Sequence, residues 1–297
     1  MKHAYLIIAH NKLQNLKALI SQIDNVDNDI YLHIDRKWKD FEFDKIKKQL
    51  QFSKLTLVKR LNVSWGGTSQ LLAEMELFKE AYYSSNKYSY YHLLSGIDLC
   101  LKSQTQIHNF FDNCGNKIFL TFCGEDWNSD AIKRIKYYHF ENTRNKFISK
   151  LEKVNLLVQK IFKIDRLKKC NYKIVGGSNW ASLTEEAVKY ILDNEEQIHR
   201  LFKKGYCVDE LYKHTLIFNS YLKEKIYLLK ISKENNDFDK DMNKANMRYI
   251  DWNRGKPYTF KSEDYDDLIN SEYMFARKFD YERDKELIEK ILKYTKQ

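Results

Sequence analysis

The sequence predicts an α/β fold built on a doubly wound parallel sheet with flanking helices. Three observations carry that reading. Ala4–His10 (AYLIIAH) is a near-continuous apolar run of strand length, which suits a strand buried on both faces. Strand-like and helix-like segments then alternate, arguing for parallel pairing through helical crossovers. The 297 residues, 43% hydrophobic and 14% aromatic, suffice for one large core.

The elements follow in order. Leu13, Leu16, Leu19, Ile20 and Ile23 fall on one side of a first helix, and Ile30–Asp35 is a strand with a polar end. A charged helix over Phe41–Leu50 and a strand at Leu55–Val58 complete a β-α-β-α-β run. Open sheets of this kind bind ligands at the carboxyl ends of their strands, which singles out His10, Asp35 and Asn62–Gly67. Gly66 and Gly67 then lead into an amphipathic helix carrying Leu71, Leu72, Met75, Phe78 and Tyr82. The glycines fit a phosphate at the helix start. They fit better a tight turn with Thr68 or Ser69 as N-cap, since the motif is neither a Walker loop nor GxGxxG.

Tyr88–Asp98 reads as a strand entering a polar turn, followed by a helix over Thr105–Phe111 and a strand at Lys117–Phe122. Residues 124–143 read as irregular, with Glu125, Asp126, Trp127, Arg134, Tyr137 and Tyr138 crowded together. Rings beside charged groups suit carbohydrate, and equally suit an ordinary surface loop. Ile174–Ser182 reads as a strand interrupted by Gly176 and Gly177, a sign of close backbone approach. Thr184 caps a long helix running towards Lys204, and Gly205 stops it. In Gly205–Phe218 (GYCVDELYKHTLIF), Asp209 and Glu210 stand where a loop turns into a helix. Short strands at Ile226–Leu229 and Met247–Ile250 precede a solvated terminal helix, Asp284–Tyr294. No linker or internal repeat divides the chain, so one domain is expected over 1–297, with parts near 1–122, 123–280 and 281–297.

Net charge is +10, and residues 144–173 hold ten Lys or Arg against Glu152 and Asp165. Phe147, Leu151, Val154, Val158, Ile161 and Phe162 recur there at helical spacing. A membrane-surface helix fits, as does a core-packing helix with a solvated cationic face. A nucleic-acid surface lacks any recognisable module. The five cysteines are odd in number and lack CxxC, so neither a disulfide framework nor a zinc site is expected. The apolar run at the start is too short for a signal segment or a span, which leads to a cytoplasmic expectation. The Asp-x-Asp pairs Asp27–Asp29, Asp237–Asp239 and Asp239–Asp241 do not follow a buried central strand. No metal is expected.

These segments, in this order, resemble glycosyltransferase family 14. That family comprises the core-2/I-branching β-1,6-N-acetylglucosaminyltransferases and the peptide O-xylosyltransferases; a bacterial-type member fits best. The marks are AYLIIAH, Tyr31–Lys37 (YLHIDRK), Trp65-Gly66-Gly67, His92–Ser103 (HLLSGIDLCLKS), Gly176–Leu192, Asp209-Glu210 and Phe275–Asp280 (FARKFD). The usual Phe-Pro after Gly-x-Asp is Leu99-Cys100 here. The resemblance implies a GT-A-like nucleotide-binding sheet with an acceptor-binding C-terminal half. It also implies inverting, metal-free transfer from a UDP-sugar, most readily UDP-N-acetylglucosamine, with UDP-xylose or another UDP-hexose as runner-up. The acceptor would be a glycan or lipid-linked glycan of a surface polysaccharide at the inner face of the membrane, with peripheral contact through 144–173 and no nucleic acid. Glu210 falls at the family's base, held ionised by the helix start that Asp209 caps. Lys278 matches a diphosphate-binding cation and Lys261 is the candidate for a second. Ala9, His10, Asp35, Trp65, Gly66 and Asp98 complete the expected donor site. Trp127, Arg134, Tyr137, Ser178, Asn179 and Trp180 form the expected acceptor side.

Overall fold

Apolar runs at the start of the chain become the centre of the sheet. The structure is a computed structural model describing residues 1–141, 145–229 and 240–296. Strands β1 (Lys2–Ala9), β2 (Asn28–Ile34), β3 (Lys54–Leu57) and β4 (Tyr88–Ser95) pair in parallel in the order β3-β2-β1-β4. β1 lies between β2 and β4, and its side chains alternate between two cores. Ala4 and Leu6 enter one core, Tyr5, Ile7 and Ala9 the other. The first core takes the helices Thr68–Tyr82, Glu185–Asp193, Glu195–Phe202 and Tyr212–Phe218; the second takes Leu13–Ile23 and Gln104–Asp112. Helices on both faces of a parallel sheet are the expected architecture.

The chain then departs from that sheet and returns. Strand β5 (Leu99–Cys100) pairs with β8 (Phe275–Arg277), which also pairs with β7 (Arg248–Ile250), in a small second sheet. Strand β6 (Ser182–Thr184) closes the main sheet antiparallel to β4.

Several elements differ from expectation, each for a local reason. Lys117–Phe122 forms no strand: Ile118 bonds the 225–227 backbone while Phe119 bonds Ser182, so no two consecutive residues share a partner. Of the next expected strand, Ile174–Ser182, only Ser182 belongs to a strand, the one spanning Ser182–Thr184 that pairs with β4. Residues 174–178 are instead held by side chains and loop carbonyls, including Thr215, Asn128 and Thr121. Residues 125–136 are helical rather than irregular, carried by the buried face Ala131 and Ile135. The helix after Thr184 breaks at Asn194, although Thr184 does cap it through Ala187 N–H at 3.3 Å. The helix expected over Phe41–Leu50 shortens to Phe43–Lys47. Ile226 makes a single bridge rather than a strand, and the other short strand begins at Arg248.

Caps differ too. Gly67, not Thr68 or Ser69, is the N-cap of the helix Thr68–Tyr82. Thr68 Oγ1 instead accepts Lys204 N–H, and Ser69 Oγ accepts Ser64 N–H. The terminal helix Lys285–Thr295 is not solvated all round, because Leu287, Ile288 and Ile291 are fully buried in the second core. Asp29 is buried in β2 and takes bonds from Lys2, Asn86 and Tyr88. The Asp-x-Asp pairs at 237–241 fall outside the described residues, as does Arg144 of the basic segment.

Candidate active site

Glu210 ends a short 3-10 turn, Val208–Glu210, entered through a left-handed Cys207. The helix Tyr212–Phe218 begins immediately after it. The glycine pair passes against this turn. Gly177 N–H donates to the Glu210 carbonyl at 3.0 Å. A Cβ at position 176 would stand 2.5 Å from that same oxygen and 2.7 Å from the Trp127 ring. Only glycine allows the strand-like strap to come so close.

The side chain of Glu210 is set by a cation. Arg134 Nη1 donates to its Oε2 at 2.6 Å, and the Arg134 guanidinium lies over the Trp127 ring at 4.8 Å. Trp127 and Arg134, both expected on the acceptor side, thus meet at Glu210. Tyr137 follows at the end of their helix, where its carbonyl accepts from Arg166.

Asp209 faces the other way. It is buried, and Gln70 Nε2 donates to one of its carboxyl oxygens at 3.3 Å. It caps neither helical segment through its side chain, which corrects the expected role. Burial, with Glu210 and Glu74 nearby, pushes its carboxyl up to about 8. The pair therefore divides: Glu210 is the partly exposed carboxylate and Asp209 the buried acid. Gln70 also accepts Gly66 N–H. Trp65 packs edge-on to Tyr206 at 6.0 Å and Cys207 N–H donates to the Gly66 carbonyl at 2.8 Å, so the Trp65–Gly66 turn docks against the turn that carries Glu210.

Beneath lies a charged group that sequence reasoning missed. Lys213, fully buried, donates to Glu74 at 2.8 Å, to the Asp209 carbonyl at 2.7 Å and to Asn179. Tyr212 donates to the same Glu74 oxygen at 2.7 Å. Lys213 as the single Lys, Arg, Asp or Glu within YKHTLIF, and Glu74 between Leu71 and Phe78, were the available signals.

The other expected residues gather at strand ends. Asp35 follows β2, its N–H bonded to the Ala9 carbonyl at 2.9 Å, and its carboxylate accepts Lys37 N–H. His10 follows Ala9 and is exposed. Ala9 packs against Gly96, where an added Cβ would come within 2.7 Å of it. Asp98 turns back onto Ser95, accepting its N–H at 2.9 Å and its hydroxyl at 2.7 Å. Phe279 N–H bonds the Ile97 carbonyl, so the 277–279 segment lies against this turn. Lys278 sits there beside residues 258–260, which brings Lys261, largely exposed, to the same edge.

Arg277, not foreseen as a site residue, joins the two groups. Its guanidinium stands 3.7 Å from Asp98 and over the Trp180 ring at 4.2 Å. Burial pulls it below the ordinary guanidinium value. The segment Ser178-Asn179-Trp180 therefore connects Lys213, one turn from Glu210, to Arg277, next to Lys278. Ser178 itself anchors through its N–H to Thr121 at 2.8 Å.

Among the described residues, His3, His108 and Asp112 form a group able to hold a metal ion. It lies at the amino end of β1, away from the site, and burial holds His3 down to about 3.

Comparison with known proteins bears on this arrangement. The model of the family described as "Branch: Core-2/I-Branching enzyme" matches residues 3–271. Xylosyltransferase 2 of Rattus norvegicus is 21% identical over 295 residues, covering 96% of this chain and 33% of the relative. The β-1,3-galactosyl-O-glycosyl-glycoprotein β-1,6-N-acetylglucosaminyltransferase of Homo sapiens is 23% identical over 304 residues, covering 95% of this chain and 66% of the relative. The chain thus spans about a third of the length of the xylosyltransferases it matches. The solved structure of mouse xyloside xylosyltransferase 1 aligns at 9% identity with a TM-score of 0.40, covering 93% of this chain and 97% of that one. With a family match from residue 3 to residue 271, the chain belongs to the Core-2/I-branching enzyme family.

Proposed function

We propose that this glycosyltransferase-family chain moves a sugar from a UDP donor to a hydroxyl of a glycan acceptor, with inversion, and that Glu210 is the general base. The observation that carries this reading is the division of the acidic pair. Glu210 is 36% exposed at its side chain and fixed by Arg134, whereas Asp209 is buried and raised. A base must be ionised, reachable and held in place. Arg134 donates but never accepts a proton, so it orients Glu210 without competing for the acceptor's proton.

In the proposed reaction Glu210 takes the hydroxyl proton as the acceptor oxygen attacks the anomeric carbon. The bond to the diphosphate breaks on the opposite face, and UDP leaves with the electron pair. Lys278, with Lys261 at the same edge, supplies positive charge where that charge develops. The matching β-1,6-N-acetylglucosaminyltransferase supports N-acetylglucosamine as the transferred sugar. A second reading, xylose, rests on the matching xylosyltransferases. The acceptor in this reading is a growing surface polysaccharide.

The test is UDP release from a panel of UDP-sugars, followed by linkage analysis of the product. Turnover is expected with one of the two named donors, and Glu210→Gln should bind UDP normally while losing about 10²-fold or more in turnover. Wild-type turnover in that variant removes Glu210 from the reaction.

A further inference from the structure

We propose that the helix Lys146–Ile161 is a docking face for an anionic lipid bilayer. The helix is packed with its polar side inward. Glu152 and Gln159 are its buried residues, whereas Phe147, Leu151, Val154, Val158 and Ile161 point to solvent, with Phe162 just beyond. Phe147 is 69% exposed and Phe162 74%. This overturns the expectation of a core-packing helix with a solvated cationic face.

The inversion is locked by specific bonds. Glu152 accepts from the Phe140 N–H at 3.0 Å and lies 2.7 Å from His139 Nδ1. Gln159 bonds both the N–H and the carbonyl of Tyr138 at 2.8 Å. Asn155 adds a bond to the same carbonyl. Three polar side chains on one face take the inward position, and the apolar stripe beside them is left exposed. Spacing i, i+4, i+7, i+11, i+14 from Phe147 to Ile161 keeps that stripe on a single line.

Charge selects the occupant. Lys146, Lys150, Lys153 and Lys160 are exposed on the same helix, and Glu152, its sole acid, is turned inward. The outward face is apolar and uniformly cationic, the pattern of a helix lying in the interface of an anionic membrane. A second copy would bring like charges together, and a nucleic acid would leave the apolar stripe uncovered. The chain has no helix long and apolar enough to cross a membrane among the described residues, so this contact is peripheral.

The placement gives the contact a use. His139 N–H bonds the Lys204 carbonyl, and Tyr206 N–H bonds the Arg134 carbonyl, so the docking helix is braced one step from the Arg134–Glu210 pair. A bilayer under this helix would hold a lipid-borne glycan beside the base; that consequence rests on the transferase reading, while bilayer docking does not.

The experiment is co-sedimentation of the full chain with phosphatidylglycerol-containing vesicles and with pure phosphatidylcholine vesicles. Expected are salt-sensitive binding to the first, weak binding to the second, and at least a tenfold fall for the combined Phe147→Ser, Leu151→Ser, Val158→Ser and Ile161→Ser variant at unchanged or raised melting temperature. The Lys150→Gln, Lys153→Gln and Lys160→Gln variant, which leaves the apolar stripe intact, should lose several-fold on anionic vesicles alone. Absence of vesicle binding overturns the proposal. So does duplex-DNA binding without vesicle binding, or a concentration-dependent dimer that the Ser variant abolishes while vesicles go unbound. None of these results touches UDP-sugar turnover, which is measured separately without vesicles.

Discussion

Arg134 Nη1 lies 2.6 Å from Glu210 Oε2, and the same guanidinium stacks on Trp127. The stack fixes the cation and the cation fixes the carboxylate; in the proposed reaction this leaves Oε1 for the acceptor hydroxyl. Arg134→Met should lower kcat/KM about tenfold or more, the range for a lost hydrogen bond to a charged group (~1.5–3 kcal/mol). Arg134→Lys keeps the charge but loses the planar stack, so it should rescue only in part. Initial-rate measurements check both, and unchanged kcat/KM in Arg134→Met ends the positioning role.

Asp209 predicts a pH dependence of stability with a definite sign. Its folded value is raised from 3.8 to about 8, chiefly by burial. The folded state therefore binds this proton more tightly than the unfolded chain does. That contribution is fully present below the unfolded value and is lost as pH rises through about 8. Wild-type melting temperature should fall between pH 6 and pH 9 more steeply than that of Asp209→Asn. Parallel curves for the two proteins would contradict the assignment.

Lys213 and Glu74 are both fully buried and 2.8 Å apart. Removing one partner strands the other charge in the core, at a cost of about 3–5 kcal/mol. Lys213→Met should thus be strongly destabilising, while Lys213→Met with Glu74→Leu should recover much of the stability. The double variant still lacks the bonds from Lys213 to Asn179 and to the Asp209 carbonyl. Recovered melting temperature with impaired turnover is the expected result, and recovery of both reduces the pair to a packing role.

Much of this was legible in the sequence because it is local. The strands β1, β2 and β4 announce themselves as apolar runs, and polar residues at their ends point to a site before any contact is known. Glu210 could be singled out only by the order of motifs around it, since Asp209-Glu210 looks like any helix start. What distinguishes the two acids is burial, which depends on Gln70, Glu74 and Lys213 from other elements. Residues 117–122 and 174–181 misled for a related reason: their backbone partners are distant segments, so their apolar runs form bridges and straps instead of ladders. In the helix Lys146–Ile161 the spacing was right and the direction was not. Only the bonds from Glu152, Asn155 and Gln159 to residues 138–140 decide which face turns inward.

Lys278 offers the sharpest test of how the departing diphosphate is stabilised. Arg277 beside it is committed to Asp98 and Trp180, while the Lys278 ammonium makes no hydrogen bond or ion pair among the described residues. A cation with no partner among the described residues, at the carboxyl end of the sheet, is suited to a phosphate oxygen. Lys278→Ala should weaken UDP by about tenfold or more and leave uridine nearly unchanged, because a charge-assisted bond to phosphate is worth ~1.5–3 kcal/mol. Lys261→Ala should do the same to a smaller degree, as expected for a more exposed side chain. If these lysines carry the leaving-group charge, transfer should persist in excess EDTA, and Lys278→Ala should lower kcat under those same conditions. Activity abolished by EDTA and restored by manganese assigns that charge to a metal instead. Equal losses of UDP and uridine affinity in Lys278→Ala would place the lysine away from the diphosphate.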